Sequence, residues 1–312
     1  MPFADTRPRL YYERHGDGPP LLCITGFGIS CAVFEPVAGL YSPRFDCIAY
    51  DNRSSGRSAA PLRPTSVPEL AGDAIRLLDW LEIESAHVYG VSMGGMIAQE
   101  IALRFPDRVR GLVLGCTSAG GPRQALPSPQ QLRRLAEPKP RDLLDPIGGW
   151  LGTMLFSPAF RRAEPERVRS LCELFVRHPA PLYGVSAHWW ASFFHDTGSR
   201  LHQIKSPTLV MHGELDAMAP VANARFLAER IPDAELCVIP GAGHAYALEA
   251  PELSRDRLTS WLAAREPIAG GAARTDRLAA VEPLTRALGL PVGAVRTGAS
   301  LAAGTRRILR PH

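Results

Sequence analysis

The order of apolar and polar residues in this chain specifies an α/β protein: a mostly parallel sheet flanked by helices, with a helical cap inserted between two of its strands. Three observations carry that expectation. Short runs such as Leu21-Leu22-Cys23-Ile24 and Val109 to Cys116 are largely apolar at successive positions, as strands covered on both faces must be. Amphipathic stretches separate these runs in regular alternation. The alternation stops at Gly120 and resumes near Thr208, which marks an insertion.

Taken in order, Leu10-Tyr11-Tyr12 reads as an edge strand and Gly16 to Pro20 as a turn into the buried strand Leu21 to Thr25, which ends at Gly26-Phe27-Gly28. A helix is expected over Ala32 to Leu40, then a strand over Phe45 to Tyr50 and a loop from Asp51 to Ser58. Ser66, Pro68 and Glu69 have the spacing of a capping box for an amphipathic helix that runs to about Leu81. An apolar strand from Ala86 leads to Ser92. Met96, Ile97, Ile101, Ala102 and Phe105 follow at helical spacing until Pro106. From Gly120 to Arg200 the chain is rich in Pro and Arg, with helical patches and the aromatic cluster Trp189, Trp190, Phe193 and Phe194. Strand Thr208 to His212, helix Val221 to Arg230, strand Glu235 to Ile239 and helix Pro251 to Arg265 complete the pattern. The expected division is a core of residues 1–119 and 201–266, a cap of residues 120–200, and a tail of residues 267–312. The tail's Ala, Gly, Arg and Pro cannot bury enough apolar surface to offset the entropy of ordering, so it is expected to be flexible.

At 312 residues, 46% of them hydrophobic, the chain can bury a large core. No apolar run reaches the roughly 18 residues that span a bilayer, and Met1 to Arg7 lacks a signal-peptide pattern, so no membrane partner and a cytoplasmic location are expected. Cys23, Cys31, Cys47, Cys116, Cys172 and Cys237 are scattered without a Cys-x-x-Cys pair, which predicts free thiols and no metal site. Of the net charge of +4, the tail holds +5 (seven Arg against Asp276 and Glu282), leaving −1 on residues 1–266. The body therefore carries no nucleic-acid footprint. Composition leaves the oligomeric state open.

Chemistry concentrates at Gly90-Val91-Ser92-Met93-Gly94, between a strand and a helix. A sharp elbow there, with glycine two residues to either side, lifts the Ser92 hydroxyl clear of the sheet and sets backbone N–H groups beneath it. A serine hydroxyl is a poor nucleophile at neutral pH, so a base must take its proton and an acid must orient that base. Gly241-Ala242-Gly243-His244 follows the last strand and offers His244 as the base. Gly213 to Pro220 follows the preceding strand and offers Asp216 as the acid, with Glu214 as the alternative. Asp51 and Arg53 read as a structural pair in their loop.

The order Ser92, Asp216, His244, with Gly-Val-Ser-Met-Gly-Gly, Gly-x-x-Asp-x-x-x-Pro, Gly-Ala-Gly-His and the Asp-x-Arg-x-x-Gly-x-Ser loop at Asp51 to Ser58, resembles the α/β-hydrolase fold superfamily over about residues 8 to 265. It is most similar to the branch of 3-oxoadipate enol-lactonases, small-ester hydrolases, cofactor-free haloperoxidases and polyketide-tailoring esterases. The resemblance implies an α/β-hydrolase fold, a Ser92–His244–Asp216 triad, an oxyanion hole formed by the backbone N–H groups of Phe27 and Met93, and no cofactor. It implies a serine hydrolase acting on an ester, lactone or thioester of an apolar small molecule. The alternatives are perhydrolysis or an elimination step with the same triad, and a non-catalytic ligand-binding protein of this fold. Two positions depart from the pattern: Thr25 stands where His is usual before the oxyanion-loop glycine, and Ser54 where Gly is commoner. The aromatic cluster from Trp189 to Phe194, in the cap, is expected to give one pair of rings to the cap interior and one to the substrate wall.

Overall fold

A computed structural model describes residues 2–136 and 146–266. Its sheet has eight strands: β1 (Phe3–Ala4), β2 (Leu10–His15), β3 (Pro20–Ile24), β4 (Asp46–Tyr50), β5 (Ala86–Val91), β6 (Val109–Gly115), β7 (Thr208–Gly213) and β8 (Glu235–Ile239). They lie in the order β1-β2-β4-β3-β5-β6-β7-β8. β1 and β2 pair antiparallel, β2 pairs antiparallel with β4, and every pair from β4 to β8 is parallel. The sheet is the mostly parallel one expected. The difference is at its edge, where the two-residue β1 lies outside β2.

The parallel strands are buried because helices cover both faces, and alternate side chains divide between them. On one face Leu22, Ile24, Val88, Leu112, Leu114 and Val210 pack against α2 (Val67–Trp80) and α3 (Met93–Arg104). On the other, Leu21, Cys23, Tyr89, Val113, Leu209 and Met211 pack with residues of α1 (Glu35–Tyr41) and of the last helix, Pro251–Ala263. Each fully buried Leu, Ile or Val contributes about 1.5–3 kcal/mol, so the central strands hold most of the folding energy of the sheet. Ser66 caps α2 by accepting the Glu69 N–H, as its spacing predicts. The helix expected over Ala32 to Leu40 is instead a 3₁₀ turn at Cys31–Phe34 followed by α1, with Pro36 in its first turn.

Between β6 and β7 the described chain is helical: α4 (Pro129–Ala136), a π-turn at Pro146–Leu151, α5 (Gly152–Leu155), α6 (Pro158–Ala163), α7 (Pro165–Val176) and α8 (Leu182–Phe193). A β-bridge between Gly120 and Asp196, with Thr197 N–H donating to Ala119 O, joins the two ends of this insertion. α9 (Ala222–Arg230), α10 (Tyr246–Glu249) and α11 (Pro251–Ala263) complete the chain to Glu266. None of the six cysteines is joined in a disulfide. Among the described residues no helix is long and apolar enough to cross a membrane. The expected tail of residues 267–312 lies outside the described residues, as do residues 137–145 of the insertion.

Strand order reverses at β3, whose neighbours are β4 on one side and β5 on the other. The loops leaving the carboxyl ends of β3 and β5 therefore diverge and open a crevice between them. Those loops carry Phe27 and Ser92.

Candidate functional site

Ser92 occupies the turn between β5 and α3 with φ 58° and ψ −124°. A non-glycine residue held at positive φ costs about 1–3 kcal/mol and persists only where its surroundings over-determine it. Here they do: Ser92 N–H donates to Gly115 O at 2.8 Å, and the Thr117 hydroxyl donates to Ser92 O at 2.7 Å. The flanking glycines are steric necessities. A Cβ on Gly90 would overlap Gly94 O, and one on Gly94 would overlap Ile24 O. Gly94→Ala should therefore cost about 3 kcal/mol of stability, read as a fall in the urea midpoint, because neither backbone can yield without separating α3 from β3. A change within 0.5 kcal/mol would show that the elbow is looser than this packing.

His244 follows β8 on its Gly-rich loop, and its Nδ1 lies 2.8 Å from Asp216 Oδ2. The other carboxylate oxygen, Oδ1, accepts the N–H groups of Met218 at 2.8 Å and Ala219 at 2.9 Å. Burial by itself would raise the Asp216 pKa, but the charge of His244 and hydrogen bonds from His212 and His244 outweigh it and hold the carboxyl well below the usual range. Burial would likewise lower the His244 pKa, yet the charge and hydrogen bond of Asp216 reverse the sign and raise it. Glu214, the alternative acid, accepts Gly241 N–H at 2.9 Å and so ties the two loops together away from the imidazole.

Three supporting residues escaped the sequence reading. His212, fully buried on β7, places Nε2 2.7 Å from Ala219 O and 3.3 Å from Asp216 Oδ2. Glu249 accepts Gly243 N–H at 2.9 Å and Ser157 N–H at 3.1 Å, fixing the loop that carries His244 to the start of α6. Cys116 lies at the end of β6 with φ 42°, and its Sγ, the Asp216 carboxylate and a His244 nitrogen lie within 4.8 Å of one another. Burial first, then the Asp216 charge, pushes its pKa well up, so it stays a protonated thiol and is neither a nucleophile nor a ready metal ligand.

Ser92, His244 and Phe27 line one cavity of about 240 Å³. Met93 is the first residue of α3, where a helix leaves N–H groups without intrahelical partners and the helix dipole favours negative charge. The Phe27 loop is closed by the Thr25 hydroxyl donating to Ile29 O at 3.1 Å. From the neighbouring loop, Asn52 Nδ2 reaches Thr25 O at 3.3 Å and the Ser55 hydroxyl donates to Ile29 O at 2.8 Å. Asp51 accepts Cys31 N–H at 2.6 Å and Arg57 N–H at 2.7 Å, while the buried Arg53 pairs with Asp73 of α2. The two do not pair with each other as the sequence led us to expect: Asp51 fastens Cys31 and Arg57 within the loop, and Arg53 ties the loop to α2.

The aromatic cluster corrects the sequence reading. Trp189, Trp190, Phe193 and Phe194 do not line the cavity; they stack on one another on the outer side of α8, with Trp189 against Phe193 at 5.1 Å and Trp190 against Phe194 at 5.5 Å. They are 49%, 49%, 61% and 73% exposed. The cavity wall comes instead from the π-turn, α5, α7 and the loop of Phe27, through residues such as Leu151, Met154, Leu155, Phe175 and Ile29.

The sequence matches the model of the alpha/beta hydrolase fold family over residues 19–251, and the chain belongs to that family. It is a hydrolase, and its relatives bear hydrolase names. It is 32% identical to the putative carbamate hydrolase RutD of Azorhizobium caulinodans over 83% of this chain and 97% of that one. It is 31% identical to 3-oxoadipate enol-lactonase 2 of Acinetobacter baylyi over 76% and 85%. Among solved structures, the enol-lactonase from Burkholderia xenovorans LB400 superposes with a TM-score of 0.70 at 25% identity, covering 84% of this chain and all of that one. These relatives set the non-catalytic ligand-binding alternative aside.

Proposed function

We propose that the chain is a serine hydrolase that cleaves an ester, lactone or thioester of a small apolar molecule through an acyl-enzyme on Ser92. The observation that carries this reading is the 2.8 Å His244–Asp216 hydrogen bond at the rim of a cavity that Ser92 shares. Ser92 Oγ attacks the carbonyl carbon, and its proton passes to His244 Nε2. Asp216 holds the imidazole in the Nδ1–H tautomer and stabilises the imidazolium that forms. The N–H groups of Phe27 and Met93 face the negative charge developing on the carbonyl oxygen. His244 returns the proton to the leaving group, and water enters by the reverse sequence.

The apolar preference is supported by the cavity lining. Apart from Ser92, His244 and the hydroxyls of Thr25, Tyr89 and Tyr246, its side chains among the described residues are hydrocarbon or thioether, with no charged group. The names of the relatives, a putative carbamate hydrolase and an enol-lactonase, support a small carbonyl substrate. A carboxylate placed in this cavity would lose its hydration without a cation in return, which costs several kcal/mol.

A fluorophosphonate probe should label the wild type at Ser92 and leave Ser92→Ala unlabelled. With p-nitrophenyl esters, a neutral butyrate or hexanoate should exceed the hemisuccinate in kcat/KM by about 100-fold, the equivalent of roughly 2.7 kcal/mol. Equal kcat/KM for the neutral and anionic esters would overturn the apolar assignment. Absence of labelling would overturn the nucleophile.

A further inference from the structure

His188 is a fully buried histidine from the middle of α8, outside the groups the reaction uses. We propose that His188 is a positioning residue of the oxyanion hole, reaching down from the cap to hold the Gly26-Phe27-Gly28 loop so that the Phe27 N–H faces the substrate carbonyl. The inference rests on the acyl-enzyme reading above.

The seat of the helix comes first. Gly184, one turn before His188, packs its backbone onto the loop of Asp51 to Ser58, where any Cβ would overlap Ser54 O. That contact brings α8 close enough for the imidazole to bridge two loops. Nε2 lies 2.8 Å from Arg53 O, and Gly28 N–H donates to Nδ1 at 3.1 Å. Both roles are fixed by chemistry. A backbone N–H can only donate, so Nδ1 must be the unprotonated nitrogen, and Nε2–H must donate to the Arg53 carbonyl. The ring is therefore neutral and in one tautomer, and burial, which lowers its pKa, keeps it so.

The bond lands where it matters. Gly28 has φ +64°, a left-handed turn immediately after Phe27. The ends of the loop are tied at Thr25 and Ile29. His188 ties its crest, and its ring meets the Phe27 ring edge-on at 6.3 Å. Arg53 anchors the far side, since its guanidinium is locked to Asp73 while its carbonyl receives His188. The chain of contacts runs from α2 through Arg53 and His188 to Gly28, and a donor in an oxyanion hole works only when held at the position the oxyanion will occupy.

The test compares His188→Phe, which keeps a ring and removes both hydrogen bonds, with His188→Asn, whose Oδ1 replaces Nδ1 as acceptor for Gly28. On p-nitrophenyl butyrate, His188→Phe should lower kcat by about 10- to 100-fold with KM within about threefold, while His188→Asn stays within about fivefold of wild-type kcat. An aryl trifluoromethyl ketone, which forms a tetrahedral adduct with the serine, should lose affinity for His188→Phe by the same factor as kcat, and the matching methyl ketone should not. Unchanged kcat in His188→Phe, equal loss in both variants, or equal loss for both ketones would overturn the proposal. Two measurements on the resting protein stand apart from the chemistry: ¹⁵N spectra of the wild type should show His188 protonated at Nε2 alone, and the Gly28 amide should exchange faster in His188→Phe. A protonated Nδ1 would overturn the proposal even if Ser92 labels as expected. If Ser92 fails to label while tautomer and exchange behave as stated, the acyl-enzyme reading falls and the loop anchor stands.

Discussion

Ser92→Ala and His244→Ala are each expected to reduce kcat by about 10⁴-fold or more while leaving the melting temperature within a few degrees of wild type. Ser92 supplies the only atom that bonds to the substrate in the proposed sequence, and a methyl group in its place leaves nothing for His244 to deprotonate. Removing His244 leaves a hydroxyl whose proton has no acceptor. The two losses should not add, because each disables the same step: the double variant should be no slower than the worse single one, within about threefold. Stability should change little because both side chains line the cavity and neither belongs to the apolar core that covers the sheet. Residual activity of His244→Ala above about one per cent of wild type would mean that another group serves as base.

Much of this site was legible because strand ends announce themselves. β3, β5, β7 and β8 are apolar runs that stop at Gly-containing loops, and in a parallel sheet successive carboxyl ends fall on one edge, so Ser92, Asp216 and His244 could be assembled from the sequence. The two-residue β1 was not legible, since two residues carry no period. The cap failed for a different reason. Its densest apolar stretch, Trp189 to Phe194, is expected from the sequence to give one pair of rings to the cap interior and one to the substrate wall, and it does neither. The inward face is instead the small stripe Gly184, Ala187, His188 and Ala191, spaced i, i+3, i+4, i+7. α8 sits backbone-close on the Ser54 loop, and only small residues and one imidazole fit there, so the rings were left outside. That spacing was present in the sequence and was the signal to follow. The departure at Thr25 proved local: its hydroxyl closes the loop on Ile29 O, a contact a serine or threonine can make over four residues. Ser54 takes φ 62°, a region that favours glycine, which is the physical sense of its departure.

Asp216→Asn is expected to lower kcat by about 10³- to 10⁴-fold, and its pH profile should identify the cause. In the wild type the Asp216 charge raises the His244 pKa against the effect of burial, and the proposed reaction needs His244 neutral. The kcat/KM of the wild type should therefore rise with pH through an apparent pKa above the ordinary imidazole value of about 6.5. Asparagine keeps the shape of Asp216 and its acceptor oxygen but removes the charge. Burial then prevails, and the acid limb should move to lower pH even as the plateau falls. The substituted amide must also turn one of its two ends to His244. If its oxygen still accepts Met218 and Ala219 N–H, the NH₂ group faces Nδ1 and forces the wrong tautomer, the source of most of the loss. Glu214→Gln provides the control. Its amide oxygen can still accept Gly241 N–H, so kcat should stay within about threefold and the acid limb should not move. Were Glu214→Gln the damaging change and Asp216→Asn mild, the acid would be Glu214. An acid limb that stayed in place in Asp216→Asn would show that this carboxylate does not set the His244 pKa.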